Sequence, residues 1–342
     1  MMGAQETALV TGAGGFIGSN LVDDQLARGR RVIAIDVHLD RLDHLRSNPA
    51  CQLQVGDVRD AAFLSRVIAG SDIPKVDIPK VDIIFHLASA HLEVAKSEAY
   101  FWETNVEAVQ SLLEIARNNG VRRFVHTSSV GVYGPLTTLP ADEASACYPD
   151  ILYERTKLEG EETVTRFVKD TGFPAVILRP AWVYGPRCPR TLKLFRTIKK
   201  RRFVMVGEGE NMRHPIHIRD MLTAFELAAT RPGIEGEAFV VASDHAVRLK
   251  DLITEIIAVQ GLRFSPIRVP MGAMTALCLG MEGVFKVLGK EPPFSTRSLK
   301  FFTESSAFDI AKARRLLGFA PAVALHEGLA HTYRHYLAEG LL

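Results

Sequence analysis

Through its first half the chain alternates short β-branched runs with stretches whose apolar residues recur every three or four positions. That pattern belongs to strands joined by crossover helices in a parallel sheet. Strands are predicted at 7–11, 31–36, 52–55, 83–87, 123–127 and 175–179. They carry few charges, as strands buried on both faces do. Helices are predicted to begin near Gly15, Ala61, Tyr100 and Leu152. After Arg179 the alternation breaks into the turn-rich run Tyr184-Gly185-Pro186-Arg187-Cys188-Pro189, where the chain is expected to leave the main sheet. It is expected to return with a strand at 216–218, a helix from Arg219 and a strand at 238–241; from Leu249 onward helices with intervening prolines dominate. The class is therefore α/β, a doubly wound parallel sheet with a smaller, mostly helical C-terminal lobe.

At 342 residues the chain is long enough for one large α/β domain and a smaller attached one. Its formal net charge of +2 gives no reason to expect nucleic acid or an acidic membrane as partner. The one dense basic run, Lys199-Lys200-Arg201-Arg202, reads as a solvated helix end in preference to a localisation signal or polyanion site. Cys51, Cys147, Cys188 and Cys278 form no C-x-x-C pair and no zinc-spaced cluster, so reduced thiols and no metal are expected. The first strand starts almost at once, leaving no room for a signal peptide, and a cytoplasmic protein is expected. The most apolar window, 271–288, is interrupted by Glu282 and Lys286 and falls short of a membrane span; membrane contact is not expected, although a surface-lying or pocket-covering helix would suit it. A tandem repeat, Asp72-Ile-Pro-Lys-Val76 then Asp77-Ile-Pro-Lys-Val81, reads as a duplication lengthening a surface loop.

Directly after the first strand comes Thr11-Gly12-Ala13-Gly14-Gly15-Phe16-Ile17-Gly18, then a helix. Glycines there let the backbone approach a pyrophosphate closely, and the helix N-terminus favours its negative charge. Gly12, Gly15 and Gly18 follow G-x-x-G-x-x-G, with Phe16 and Ile17 inside the turn. A ligand-free strand–helix turn could look similar, but the strand before and the helix after favour a dinucleotide. Asp36, eighteen residues beyond Gly18 at the end of the second strand, can accept both adenosine ribose hydroxyls and would repel a 2′-phosphate. The expected cofactor is therefore NAD in preference to NADP. Asp57 and Val58 close the third strand where adenine would pack, and Leu87, Ala88 and Ser89 give the nicotinamide ribose a close approach.

The candidate chemistry follows the fifth strand. Tyr153 is the only tyrosine of the seven with lysine four residues on, Lys157, a spacing that stacks both on one helix face. Removing a proton from an alcohol needs a base, and a phenol with an ordinary pKa of about 10 serves once cations stabilise its phenolate. Ser129 is placed to hydrogen-bond the reacting oxygen and Ser128 to assist in binding; both could instead simply cap the strand end.

In order along the chain stand T-G-x-x-G-x-x-G, Asp36, Asp57, His86-Leu-Ala, Thr104-Asn105-Val106, Ser128-Ser129, Tyr133-Gly134, Tyr153-x-x-x-Lys157, Leu178-Arg179-Pro180, Tyr184-Gly185-Pro186, Arg213…His217-x-x-Asp220 and Leu317-Gly318-Phe319-x-Pro321. Together they resemble the extended short-chain dehydrogenase/reductase family, which includes the NAD-dependent epimerases and dehydratases. The resemblance implies a Rossmann-type NAD-binding domain over 1–179 with 212–243, and a substrate-binding lobe over 180–211 with 244–342. It implies catalytic Ser129, Tyr153 and Lys157, Lys157 also holding the nicotinamide ribose, and a homodimer pairing the helices around Asn105 and Lys157. Two departures shape the expected substrate. Trp182 stands where nucleotide-sugar members carry asparagine, and an indole lacks the amide's hydrogen bonds. Arg213 matches an arginine that contacts a nucleotide phosphate, whereas Pro293-Phe294-Ser-Thr-Arg297 looks more like 3β-hydroxysteroid dehydrogenases. The first expectation is an NAD-dependent oxidoreductase acting on a secondary alcohol or ketone of a small-molecule substrate with apolar character, bound near Ser128, Ser129, Trp182 and Arg213. The second is a nucleotide-sugar epimerase or reductase with tightly bound NAD; dehydration is disfavoured because Gly131 and Val132, not an acid–base pair, lie next to Ser129. A catalytically silent NAD-binding sensor or scaffold is the alternative outside enzymes.

Overall fold

The structure, a computed structural model, describes residues 5–70, 80–91, 96–287 and 296–342. Most of the tandem repeat and residues 293–295 of the steroid-dehydrogenase-like segment lie outside the described residues. In chain order the main elements are β1 (Thr7–Thr11), α1 (Phe16–Ala27), β2 (Arg31–Asp36), β3 (Cys51–Val55), α2 (Ala61–Ala69), β4 (Ile83–His86), α3 (Glu98–Trp102), α4 (Ala108–Asn118), β5 (Arg123–Thr127), α5 (Leu152–Thr171) and β6 (Ala175–Pro180). They continue with α6 (Pro189–Lys199), α7 (Ile218–Thr230), β7 (Ala238–Val241), α8 (Leu249–Val259), α9 (Met271–Val287), α10 (Thr296–Thr303) and α11 (Leu325–Ala338). The seven strands form one parallel sheet in the order β7-β6-β5-β4-β1-β2-β3. This is the expected Rossmann-type architecture, and the strand order reverses between β1 and β4.

The central strands feed two cores. Leu9, Ile33, Ile84 and Phe124 point to one face, under Leu112 of α4 and Val164 of α5. Their neighbours Val10, Phe85 and Val125 point to the other, under Leu21 of α1 and Phe225 of α7. Successive side chains in a strand face opposite ways, so covering both faces requires apolar residues at consecutive positions and not alternate ones.

The predicted strand at 216–218 does not enter this sheet. Pro215–His217 pairs in parallel with Trp182–Tyr184 as a separate two-stranded ribbon, and Ile218 already opens α7. The reason is occupancy: β5 and β7 take both edges of β6, leaving no place beside it for another strand. The helix predicted near Tyr100 starts at Glu98, where Ser97 Oγ accepts the Tyr100 N–H, and continues through a π-turn at Glu103–Glu107 into α4. The remainder is mostly helical, as expected, with Phe195, Leu252, Ile256 and Leu329 of α6, α8 and α11 in one cluster. Lys199–Arg202 stand exposed at the end of α6. Among the described residues no helix is long and apolar enough to cross a membrane.

α5 is fixed to the sheet by a buried ion pair. Arg179 of β6 gives its Nε to both oxygens of Glu161 at 3.0 Å and an Nη to one of them at 2.6 Å, and its other Nη donates to the Tyr133 hydroxyl at 2.9 Å. Removing one partner leaves the other charge buried alone, which typically costs about 3–5 kcal/mol. Glu161→Ala should lower the unfolding free energy by about that amount in urea titrations; a loss under about 1 kcal/mol, the range of a surface pair, would show that the pair does not anchor α5.

Candidate active site

The glycine turn is shaped by its neighbours. Gly12 has φ of 70°, and a Cβ there would sit 2.6 Å from the Ala88 nitrogen, so the turn and the loop after β4 meet backbone to backbone. At Gly14 a Cβ would lie 1.8 Å from the His38 carbonyl oxygen. Spacing alone did not single out Gly14; its role follows from the chain after β2 folding back over the turn. The Gly14 N–H donates to Asp36 Oδ2 at 2.9 Å and the His38 N–H to Oδ1 at 3.1 Å, so Asp36 is docked against the turn. Gly15 precedes α1, with Phe16, Ile17 and Gly18 in its first turn. No side chain caps that N-terminus and its first turn holds no acid, which leaves its amides for an anionic ligand.

At the ends of β2 and β3, Val37 and Val55 are exposed apolar side chains beside Asp36. Val58 is buried, and Asp57 pairs with Arg59 at 2.7 Å. Hydrogen bonds from Arg59 hold the Asp57 carboxyl below its ordinary range. After β4, the Ala88 N–H donates to Thr11 Oγ1 at 3.3 Å and the Ser89 hydroxyl to Asn105 Oδ1 at 3.0 Å. Asn105 also accepts from Ala90 N and donates to Thr156 Oγ1 at 2.9 Å. It thereby ties the loop carrying Leu87, Ala88 and Ser89 to the first turns of α5, a role its motif did not disclose.

Tyr153 and Lys157 stand one turn apart on α5, on the same carboxyl edge of the sheet as the glycine turn. The Ser129 hydroxyl stands close enough to Tyr153 to act on its phenol and accepts the Gly131 N–H at 3.0 Å. The His91 ring stands edge-on to the phenol, 4.6 Å between centroids. The Lys157 ammonium is 2 % exposed and donates to the Thr127 carbonyl at 2.6 Å. Burial pushes the Tyr153 phenol up to about 12 and the Lys157 ammonium down to about 8. Lys157 is not among the groups that oppose this rise; the Ser129 hydroxyl and, more weakly, the charge of Arg190 do so.

Two histidines lie beneath Lys157: His86, which opens the His86-Leu-Ala motif, and His126, which no motif marks. His86 is bonded to Thr11 Oγ1 through Nδ1 at 2.8 Å, and its ring stacks on that of His126, 5.6 Å between centroids. Burial, and then the Lys157 charge, hold both neutral, His86 at about 3. His86 Nε2, both nitrogens of His126, and the hydroxyls of Thr127 and Ser128 are buried with no partner. The fold also brings a carboxyl beside Ser129. Glu154 fills the space left by Gly131, whose Cβ would be 3.1 Å from Glu154 Cγ, but one oxygen accepts the Asp150 and Ile151 N–H groups at the start of α5.

Trp182 and Arg213 meet on α10. The Trp182 indole is edge-on to Phe301, 6.5 Å between centroids, with its N–H buried and unpartnered. Arg213 lies 4.8 Å over the same ring and donates to the carbonyls of Lys300 and Phe301, in the last turn of α10. Burial pushes its guanidinium down to about 10, and its Nε has no acceptor. Arg190, exposed in the first turn of α6, is close enough for its charge to act on both Tyr153 and Arg213. No motif marks Arg190; the fold alone brings it to the cleft.

Residues 8–242 match the NAD-dependent epimerase/dehydratase family. The chain is 31% identical to UDP-glucose 4-epimerase of Mycolicibacterium smegmatis, with 96% of this chain and 97% of that protein covered. It is 25% identical to N-acetyl-alpha-D-glucosaminyl-diphospho-ditrans,octacis-undecaprenol 4-epimerase of Escherichia coli O157:H7, covering 96% and 95%. The fold matches the crystal structure of UDP-glucuronic acid 4-epimerase from Bacillus cereus in complex with NAD, with a TM-score of 0.77 at 23% identity over 97% of this chain and 99% of that one. The open helix terminus, the docked acid and the close-packed glycine turn fit the cofactor such a family requires. This chain is an enzyme of the NAD-dependent epimerase/dehydratase family, within the extended short-chain dehydrogenases/reductases, and NAD is its cofactor.

Proposed function

We propose that this enzyme interconverts a secondary alcohol and its ketone, with Ser129 holding the reacting oxygen, Tyr153 exchanging its proton and Lys157 orienting the cofactor's ribose. The placement of Tyr153 one helical turn from the buried Lys157, whose ammonium is held on the Thr127 carbonyl at the end of β5, two residues before Ser129, carries the reading. Bound NAD would supply hydride acceptance and donation and, when oxidised, a positive charge. Burial alone leaves the phenol protonated at neutral pH, a state ready to protonate an alkoxide; a cation beside it favours the phenolate needed for the opposite direction. The glycine turn, Asp36 and Leu87–Ser89 would hold the dinucleotide, with adenine against Val37, Val55, Asp57 and Val58. Ser128 lines the interior side of the site and assists Ser129 through its position in the chain.

The substrate lobe, 180–211 with 244–342, together with Arg213 of the NAD-binding domain at its border, would offer two chemistries at once. Trp182 and Phe301 form an apolar wall, and Arg190 and Arg213 supply cations. A substrate joining an apolar portion to an anionic group fits both, as does the lipid-diphosphate sugar named for the Escherichia coli relative. The second reading, an epimerase retaining its NAD through turnover, is favoured by those two cations and by the UDP-sugar relative. The intact Ser129, Tyr153 and Lys157 oppose a silent sensor. We also assign a cytoplasmic location, in keeping with four unpaired thiols, and a homodimer through α4 and α5, where a surface cavity of about 600 Å³ lies between Gln110, Ser111, Thr163 and Phe167.

With UDP-glucose and a 3β-hydroxysteroid as probes, a dehydrogenase should form NADH stoichiometrically, whereas an epimerase should give product with no lasting change in NADH absorbance. Tyr153→Phe should reduce turnover by roughly 10²–10⁴-fold with NAD affinity little changed; unaltered turnover would remove Tyr153 from the chemistry. Asp36→Ala should narrow the preference for NAD over NADP by roughly tenfold or more, as expected from losing charged hydrogen bonds and the repulsion of a 2′-phosphate. Titration calorimetry with both dinucleotides measures it, and a native preference for NADP would overturn the role given to Asp36.

A further inference from the structure

The outer face of α9 is unlike an ordinary solvent face. Gly272, Ala273, Ala276, Leu277, Leu279 and Gly280 are exposed, Leu277 by 55% and Leu279 by 57%, and no charged residue occurs from Met271 to Met281. The helix is nevertheless held in place from the other side, where Cys278, Met271 and Met274 pack with Val206, Leu299 and Phe302. Just ahead of it Ile267 is 72% exposed, in a strand, Ile267–Val269, that pairs with Val204–Val206. Large contiguous apolar patches on a protein surface mark contact sites, whereas single exposed leucines do not.

A basic cluster adjoins this patch. Lys199, Lys200, Arg201 and Arg202 are exposed on the segment that leads into Val204–Val206, and among the described residues none has a carboxylate partner. Arg201 lies 5.8 Å over the Phe264 ring, beside the partner strand. Phe203 stands 6.2 Å from Phe302, which packs against Cys278 of α9, so one run of side-chain contacts joins the cluster to the helix. An apolar helical face bordered by unpaired cations suits the boundary of an anionic bilayer, where aliphatic side chains enter the acyl region and lysines and arginines meet headgroup phosphates.

We propose that α9 and the Lys199–Arg202 run dock this chain reversibly on the surface of an anionic lipid bilayer. The near-neutral total charge conceals this, because the cations are local. The same helix borders the candidate substrate wall: Glu282 accepts the N–H and hydroxyl of Thr296 at 2.7 and 2.9 Å, and α10 carries Phe301 to Trp182. The proposal goes beyond the reaction assigned above and stands or falls without it.

Co-sedimentation of the full chain with vesicles separates the outcomes. Binding is expected to vesicles of phosphatidylcholine with phosphatidylglycerol, and to be much weaker to phosphatidylcholine alone and at high salt. Leu277→Glu with Leu279→Glu should abolish it, and Lys199→Gln, Lys200→Gln and Arg202→Gln together should weaken it on the order of a hundredfold, from about 1 kcal/mol per basic residue at an anionic surface. NAD binding and the thermal melt of each variant should match the parent chain, which shows that it folds. No binding to anionic vesicles, or binding that both sets of substitutions leave intact, would overturn the proposal. So would light scattering in which the parent self-associates and the leucine variant does not, with neither binding lipid, since a second copy would then cover α9.

Discussion

The ammonium of Lys157 enters the molecule where almost no water follows it, and the Thr127 carbonyl makes that placement tolerable. A charge taken from water into a protein interior costs several kcal/mol unless hydrogen bonds replace its hydration. One short bond and the charge of Glu161, a turn further along α5, oppose that cost, and burial still prevails, leaving the lysine at about 8. Such a group works only if it is held still. Arg179 grips Glu161 from β6, and Asn105 grips Thr156 from the π-turn before α4, so α5 is fastened on both sides of Lys157.

The sheet explains why those residues meet. With both faces covered by helices, its strands offer polar groups a place only at their ends, and parallel strands put all their carboxyl ends on one edge. Thr11, His86, Thr127 and the loops after them therefore share that edge, and the reversal of strand order between β1 and β4 opens it to a ligand. The same crowding sets the electrostatics. It raises the phenol, lowers the lysine and keeps His86 and His126 uncharged, so the protein by itself discourages charge at the reacting centre. A cation brought by the cofactor then has a large effect, because little water is present to screen it.

Local patterning made the main sheet legible, since buried parallel strands are short apolar runs, and it placed Tyr153 and Lys157 on one helix face by spacing alone. It failed where partners are distant in sequence. Pro215–His217 has strand patterning, but its partner is decided by which edge of β6 is free. Gly14 is constrained by His38 folding over it, the stacked histidines come from separate strands, and Arg190 reaches the cleft only because α6 turns back toward α5. In the sequence, Trp182 and Arg213 point to opposite kinds of substrate. In space they share one phenylalanine, so the opposition disappears.

That shared residue constrains what the lobe can bind. Arg213 already donates to carbonyls at the C-terminal end of α10, the negative end of the helix dipole, which a cation stabilises. An anion arriving at Arg213 must compete with those carbonyls or take the unpartnered Nε, whereas Arg190 is exposed and uncommitted. A negative group of the kind proposed for the substrate would therefore meet Arg190 first, and its engagement with Arg213 would compete with the carbonyls of α10. Because α10 is tied to α9 through Thr296 and Glu282, any shift at Arg213 reaches the apolar helix by a short covalent and hydrogen-bonded route. Thr296 and Glu282 thus join the helix that carries Phe301 directly to the apolar helix α9.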